Sequence, residues 1–218
     1  MKTEISALPF LPKLRTLDAM REASRKCRGC PLYKSATQTV FGMGSDHARV
    51  MFVGEQPGNE EDRQGAPFVG PAGRVLDKAL IAAGIDRGDT YVTNVVKHFK
   101  WVAKGSRRLH KKPSAREIAA CIPWLEEEIE IIKPEVLVLL GASAAQAILG
   151  KEFRVSKQRG QLVPTKLAPY ALATIHPSSV LRMPTSEDRH RALEMLTSDM
   201  RVVASVLAGS PSAALGSP

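Results

Sequence analysis

The stretch KGSRRLHKKPS, from Lys104 to Ser114, sets one imidazole, His110, inside a run of lysines and arginines. Cations packed this densely suit phosphate oxygens. An imidazole adds little to that grip. On composition alone the segment reads as a plain phosphate grip in which His110 is incidental, and the question is what else an imidazole would do there. A second chemical feature is Cys27-Arg28-Gly29-Cys30, whose spacing lets two thiolates converge on one metal ion or cluster. A redox pair would follow a strand and open a helix. This one follows an amphipathic segment, Leu14–Arg25, and precedes the turn-like Pro31-Leu32-Tyr33. Cys121 completes a set of three cysteines, one ligand short of a four-coordinate site.

A third group places polar or aromatic residues beside glycine and proline. Glu55 and Gln56 lie in GEQPG, Phe68 in GAPFVGPAG, Asn94 in YVTNVV, and His176 with Ser178 in HPSSVLR. Gly54 and its neighbours allow a ligand close to the backbone. An amide such as Asn94 presents a donor and an acceptor side by side, as reading a base edge requires. Phe68 offers a stacking surface, and the HPSS turn carries hydroxyls and backbone donors suited to phosphate. Each has a plainer reading: a polar turn, a buried bridging amide, a core aromatic, a satisfied histidine. Position decides between them. His47 and His190 read as solvated surface residues.

The elements that must position these groups are legible as apolar runs. ARVMFVG (Ala48–Gly54), TYVTNVV (Thr90–Val96), EVLVLLG (Glu135–Gly141) and ALATIH (Ala171–His176) read as buried parallel strands. Between them, AGRVLDKALIAAG stops at Gly84 and SAREIAACIPWLEEEIEII opens on a capping box, Ser114 with Glu117. Pro123 is expected to bend or break that second helix. SAAQAIL follows Gly141, and a last helix runs from about Glu187 to Leu207. Such alternation implies right-handed crossovers and a parallel sheet covered on both faces. Ligands then bind beyond the carboxyl ends of the strands. Glu55, Asn94 and His176 all fall at that rim.

The chain has 218 residues, 44% of them hydrophobic, which suits one large domain over residues 1–208. The small-residue tail 209–218 is expected to be disordered. A net charge of +9 favours polyanions. No apolar run approaches a spanning length of about 18 residues, which makes a membrane partner the weaker reading. The N-terminus lacks the apolar core of a secretion signal, so a cytoplasmic setting with reduced cysteines is expected.

Taken together, GEQPG, PFVGPAGRVLD, YVTNVVK and HPSSVLR, in this order, resemble the uracil-DNA glycosylase superfamily of the iron–sulfur family-4 type. The match covers about Cys27 to Arg201. Gln56, the basic loop before His110 and the VKHFK segment are most similar to its UdgX branch, which binds uracil-DNA covalently. The loop of that branch reads KRRIH; here Ser106 and Leu109 replace the lysine and the isoleucine. The resemblance implies an α/β/α sandwich around a four-stranded parallel sheet. It also implies a [4Fe-4S] cluster on Cys27, Cys30, His98 and Cys121, His98 standing where relatives carry a cysteine. Zinc would fit the same donors.

By the same resemblance, Phe68 stacks on a flipped uracil, Asn94 reads its pairing edge, and His176 donates to the departing base. His110 attacks the sugar in place of water. Its neighbours Arg107, Arg108, Lys111 and Lys112 are expected to hold the imidazole neutral, with Glu55 on the other ring nitrogen accepting the released proton. The loop arginines, Gln56, Gly54 and Ser178 are expected against the substrate. The implied partner is uracil-containing DNA, single strands by preference, bound by a monomer.

Overall fold

Apolar β-branched runs alternating with amphipathic helices fold into one sheet with helices on both faces. The computed structural model describes residues 5–209. In chain order the elements are α1 (Leu17–Ser24), β1 (Met43–Gly44), β2 (Val50–Gly54), α2 (Asn59–Gln64), α3 (Pro71–Ala83), β3 (Thr90–Asn94), β4 (Trp101–Lys104) and β5 (Arg107–His110). There follow α4 (Ala115–Ile132), β6 (Val136–Leu140), α5 (Ala142–Leu149), α6 (Val155–Gln158), β7 (Leu162–Val163), β8 (Tyr170–Thr174), α7 (Pro177–Leu181) and α8 (Ser186–Leu207). The tail expected from residue 209 onward lies outside the described residues beyond Gly209. No helix among the described residues is long and apolar enough to cross a membrane.

The main sheet runs β1-β3-β2-β6-β8-β7. Its centre, β3-β2-β6-β8, is the expected set of four parallel strands. The four-stranded expectation is extended by β1 and β7, each pairing antiparallel at an edge. Two-residue strands are too short to show any period, so the sequence carries no signal for them.

Alternation along the central strands sorts the core into two layers. Val50, Phe52, Val92, Val138 and Leu172 pack with residues of α3 and α8, such as Leu76 and Leu196. Met51, Val53, Tyr91, Leu139 and Ala173 pack with residues of α1, α4 and α5, such as Met20, Trp124 and Ala144. Both faces are therefore dry, as an all-parallel centre demands.

The capping box on α4 is present, Ser114 and Glu117 satisfying each other's backbone donors. Of the expected bend or break at Pro123, the break does not occur: α4 continues through it to Ile132. A proline removes one internal hydrogen bond, and the buried packing of Trp124, Leu125 and Ile129 on the sheet outweighs that loss. The basic stretch is also more ordered than a loop. Trp101–Lys104 and Arg107–His110 pair as an antiparallel hairpin, with Trp101 opposite His110 and Ala103 opposite Arg108. Gly105 turns it at φ 58°, a left-handed conformation that glycine adopts without cost.

Candidate active site at the strand ends

The carboxyl ends of β2, β3, β6 and β8 open into a cleft of about 570 Å³, lined by Glu55, Phe68, Asn94, Gly141, His176 and His110 among others. That volume suits a single small ligand. Gly54 pairs with Asn94 across β2 and β3. A β-carbon at Gly54 would sit 2.3 Å from the Asn94 side-chain oxygen and 2.9 Å from the Phe68 ring, so the glycine makes room for both. Phe68 is the non-glycine residue of this loop with positive φ, at 55°. Such a backbone costs about 1–3 kcal/mol and needs surrounding structure to hold it. Gly73 supplies part of that hold, because its α-carbon face lies directly against the Phe68 carbonyl. The Phe68 ring lies near-parallel to His176, with centroids 6.2 Å apart and planes 28° apart.

The proton on His176 follows from its partners. The Ser178 backbone N–H donates to Nδ1 at 3.1 Å, so Nδ1 is the acceptor and Nε2 carries the hydrogen. The Ser178 hydroxyl also lies 2.8 Å from Nδ1 and accepts from Arg182 at 2.9 Å. Burial first, then the Arg182 charge, push the imidazole down to about 4. His176 is thus a neutral N–H donor at physiological pH. Ser178, expected against phosphate, instead spends its hydroxyl on orienting this ring.

His110 closes the cleft from the hairpin side. The Gln56 carboxamide is oriented by backbone: its oxygen accepts from the Lys100 N–H at 2.9 Å, and its nitrogen donates to the Lys100 and Lys111 carbonyls. That same nitrogen lies 2.8 Å from His110 Nε2. An amide nitrogen cannot accept, so its two hydrogens are shared among three acceptors and Nε2 meets it with its lone pair, which puts the ring hydrogen on Nδ1. Gln56 is spent on His110 rather than free for substrate. Glu55 Oε1 stands 3.4 Å from the same Nε2. The cause of the ring's lowered pKa differs from the expectation. Burial leads and Arg182 adds to it, against the raising effect of Glu55, and the loop cations play no leading part.

Arg107 projects into solvent on the hairpin. Arg108 does not: it donates to Asp62 at 2.6 Å, to Asn59 Oδ1 at 2.8 Å and to Thr37, and lies over the rings of Phe99 and Trp101. Expected as a phosphate contact, it acts as a latch between the hairpin and α2. Asp62 is fully buried, so Arg108→Ala is expected to cost about 3 kcal/mol and to loosen the hairpin. Arg108→Lys should recover only part, since an ammonium cannot fork. Chemical denaturation measures the first effect and limited proteolysis at Gly105 the second. Unchanged stability would sink the latch.

Cys27, Cys30, Cys121 and His98 are all buried in one region, the cysteines free. Among the described residues, no three or more His, Cys, Asp or Glu side chains stand close enough together to hold an ion as placed. Their chemistry still fits a soft metal group. The Trp124 indole N–H donates to the Cys27 sulfur and the Lys97 backbone N–H to the Cys121 sulfur, each at 3.3 Å. N–H donors aimed at sulfur are how proteins stabilise bound thiolates. The Thr39 hydroxyl gives its hydrogen to the Ser24 carbonyl, so it can only accept from His98 Nε2, 3.0 Å away. His98 Nδ1 is therefore bare, and burial holds that ring neutral, down to about 4.

Sequence reasoning missed Asp62, Ser143 and Arg182. Ser143, in the first turn of α5, donates its hydroxyl to Glu55 Oε2. Asp62 is one of six polar residues in α2, Ser143 lies in the first turn of α5 and Arg182 follows α7, and no spacing rule marks such positions.

The rim of this α/β sandwich thus joins a cleft for one small ligand, a carboxamide and a neutral histidine donor. The chain belongs to the uracil-DNA glycosylase superfamily, whose family model matches residues 41–198. Within it, the chain is 39% identical to the type-4 uracil-DNA glycosylase of Thermotoga maritima over 82% of its own length and 90% of that protein. It is 35% identical to the type-4 enzyme of Pyrobaculum aerophilum, over 77% of this chain and 86% of the relative. The type-4 enzyme of Archaeoglobus fulgidus is 33% identical over 82% and 90%.

Proposed function

We propose that this chain excises uracil from DNA, single strands by preference, and ends covalently joined to the sugar through His110. The excision half follows the family and its type-4 relatives. The covalent half is carried by one observation: the Gln56 amide holds a lone pair on His110 Nε2 at the mouth of the cleft, beside Glu55. In this reading Phe68 stacks on the flipped base and Asn94 reads its pairing edge. As the glycosidic bond breaks, its electron pair leaves with uracil, and the His176 Nε2–H stabilises the charge developing on the base carbonyl. Nε2 lets go of the Gln56 amide, and its lone pair forms the new bond to the anomeric carbon. The positive charge that passes onto the ring faces the Glu55 carboxylate, and the Nδ1 hydrogen is released to solvent. The linkage is stubborn because its leaving group would be imidazolate, a far stronger base than the uracil anion.

The test is denaturing electrophoresis of the protein with uracil-bearing and thymine-bearing strands. A shifted band with uracil alone is the expected result. Free uracil exceeding the protein, with no shifted band, selects a conventional hydrolytic enzyme instead. Salt-sensitive binding indifferent to uracil selects a simple strand binder.

The same reading gives Cys27, Cys30, Cys121 and the bare Nδ1 of His98 a [4Fe-4S] cluster, which supplies a structural clasp. These residues would tie the segment carrying α1 to α4 and to the stretch after β3. Protein purified without oxygen is expected to be coloured, with iron and sulfide in cluster proportion. A colourless protein carrying zinc would overturn the cluster and keep the ligand set.

A further inference from the structure

The Glu55 carboxylate divides its two oxygens between different elements. Oε2 accepts the hydroxyl of Ser143 on α5, and Oε1 faces His110 Nε2 at 3.4 Å. Among the described residues no other hydrogen bond fixes the Glu55 side chain, which is largely buried, with 18% of its surface exposed. Ser143 itself lines the cleft. Its hydroxyl has a single hydrogen to give, and it gives it to the carboxylate rather than to its own helix.

We infer that Ser143 is a positioning residue for capture, holding Glu55 with one oxygen turned aside so that the other stands near His110 without seizing it. This deepens the covalent reading and rests on it. The physical consequence is a balance. A carboxylate free of Ser143 would lose the bond that turns one oxygen aside and swing onto the ring, in competition with the Gln56 amide. It would then favour a protonated Nε2, which cannot attack. With Ser143 engaged, the negative charge is close enough to stabilise the cation formed on attack and too constrained to block it. The charged and titratable groups facing His110 are Glu55 after β2, and His176 and Arg182 around α7. Removing the Ser143 hydroxyl alters the Glu55 contribution alone.

Ser143→Ala is expected to slow adduct formation at saturating DNA on the order of tenfold, the scale of one hydrogen bond to a charged group. The DNA concentration for half-maximal rate should stay unchanged. By NMR titration of the full chain without DNA, the His110 imidazole should titrate at higher pH than in the parent protein. Ser143→Thr, which keeps the hydroxyl, should restore both. In a Glu55→Gln background, Ser143→Ala should add no further slowing, because the residue acts only through that carboxylate. An unmoved His110 titration, or slowing that persists in the Glu55→Gln background, overturns the proposal. If the parent protein forms no adduct, the covalent reading fails. The His110 titration then still reports whether Ser143 governs Glu55.

Discussion

His110→Ala is expected to abolish the denaturation-resistant adduct with uracil-bearing strands while uracil release continues. The substitution removes the only nitrogen that the Gln56 amide presents at the cleft mouth. It leaves Phe68, Asn94, His176 and Glu55 where they are, so the machinery that breaks the glycosidic bond survives. Water enters the vacated space and captures the sugar, and each protein molecule then turns over more than once. An adduct persisting in the variant would place the nucleophile elsewhere. The pH dependence sharpens the test. Burial lowers the His110 pKa below its usual 6.5, so the ring is already neutral at pH 7. Capture should be flat above pH 6.5 and fall as acid protonates Nε2. A rate still climbing between pH 7 and 8 would contradict that sign.

Glu128→Leu is expected to destabilise the fold by about 3–5 kcal/mol, the cost of leaving a buried charge without its partner. Lys97 is 1% exposed and Glu128 fully buried, with Nζ 2.5 Å from the carboxylate. The carboxylate also accepts from the Gly42 N–H, the Tyr91 hydroxyl and the Thr93 hydroxyl, each about 3.0 Å away. Burial, reinforced by Glu128, holds the Tyr91 phenol well above its ordinary pKa, so it remains a donor. Lys97→Met alone should cost less, since Glu128 keeps those three donors. The double variant should recover only part of the Glu128→Leu loss, because Tyr91 and Gly42 then lack an acceptor. Urea denaturation of the three variants distinguishes these outcomes. Lys97 also donates to the Asn94 carbonyl at 2.7 Å, so the same variants should weaken uracil discrimination. A Glu128→Leu protein as stable as its parent would show the pair to be incidental.

The four parallel strands and the rim they create were legible because fully buried strands must be continuous apolar runs. Glu55, Asn94 and His176 stood out by falling where those runs end. The hairpin was hidden by its charge. Four residues on either side of Gly105-Ser106 match a two-residue turn, a signal present in the sequence and obscured by reading the lysines and arginines as one solvated run. Once the hairpin is known, period two explains why Arg108 and His110 share one face of it while Arg107 and Leu109 share the other. The roles of Gln56 and Ser143 were beyond sequence reasoning. Each depends on which backbone or carboxylate happens to approach from an element far along the chain.

The hairpin is fastened twice to the short segment that leaves β2. Gln56 grips the backbone at Lys100 and Lys111, the two residues flanking the hairpin, and Arg108 grips Asn59 and Asp62. Amide and imidazole are therefore parts of one cassette, carried on a common frame although 54 positions separate Gln56 from His110. The carboxylate beside them answers to a second frame as well, because Ser143 ties it to α5. A displacement of the hairpin relative to α5 would therefore change the spacing of Glu55 to His110 before it changed that of Gln56.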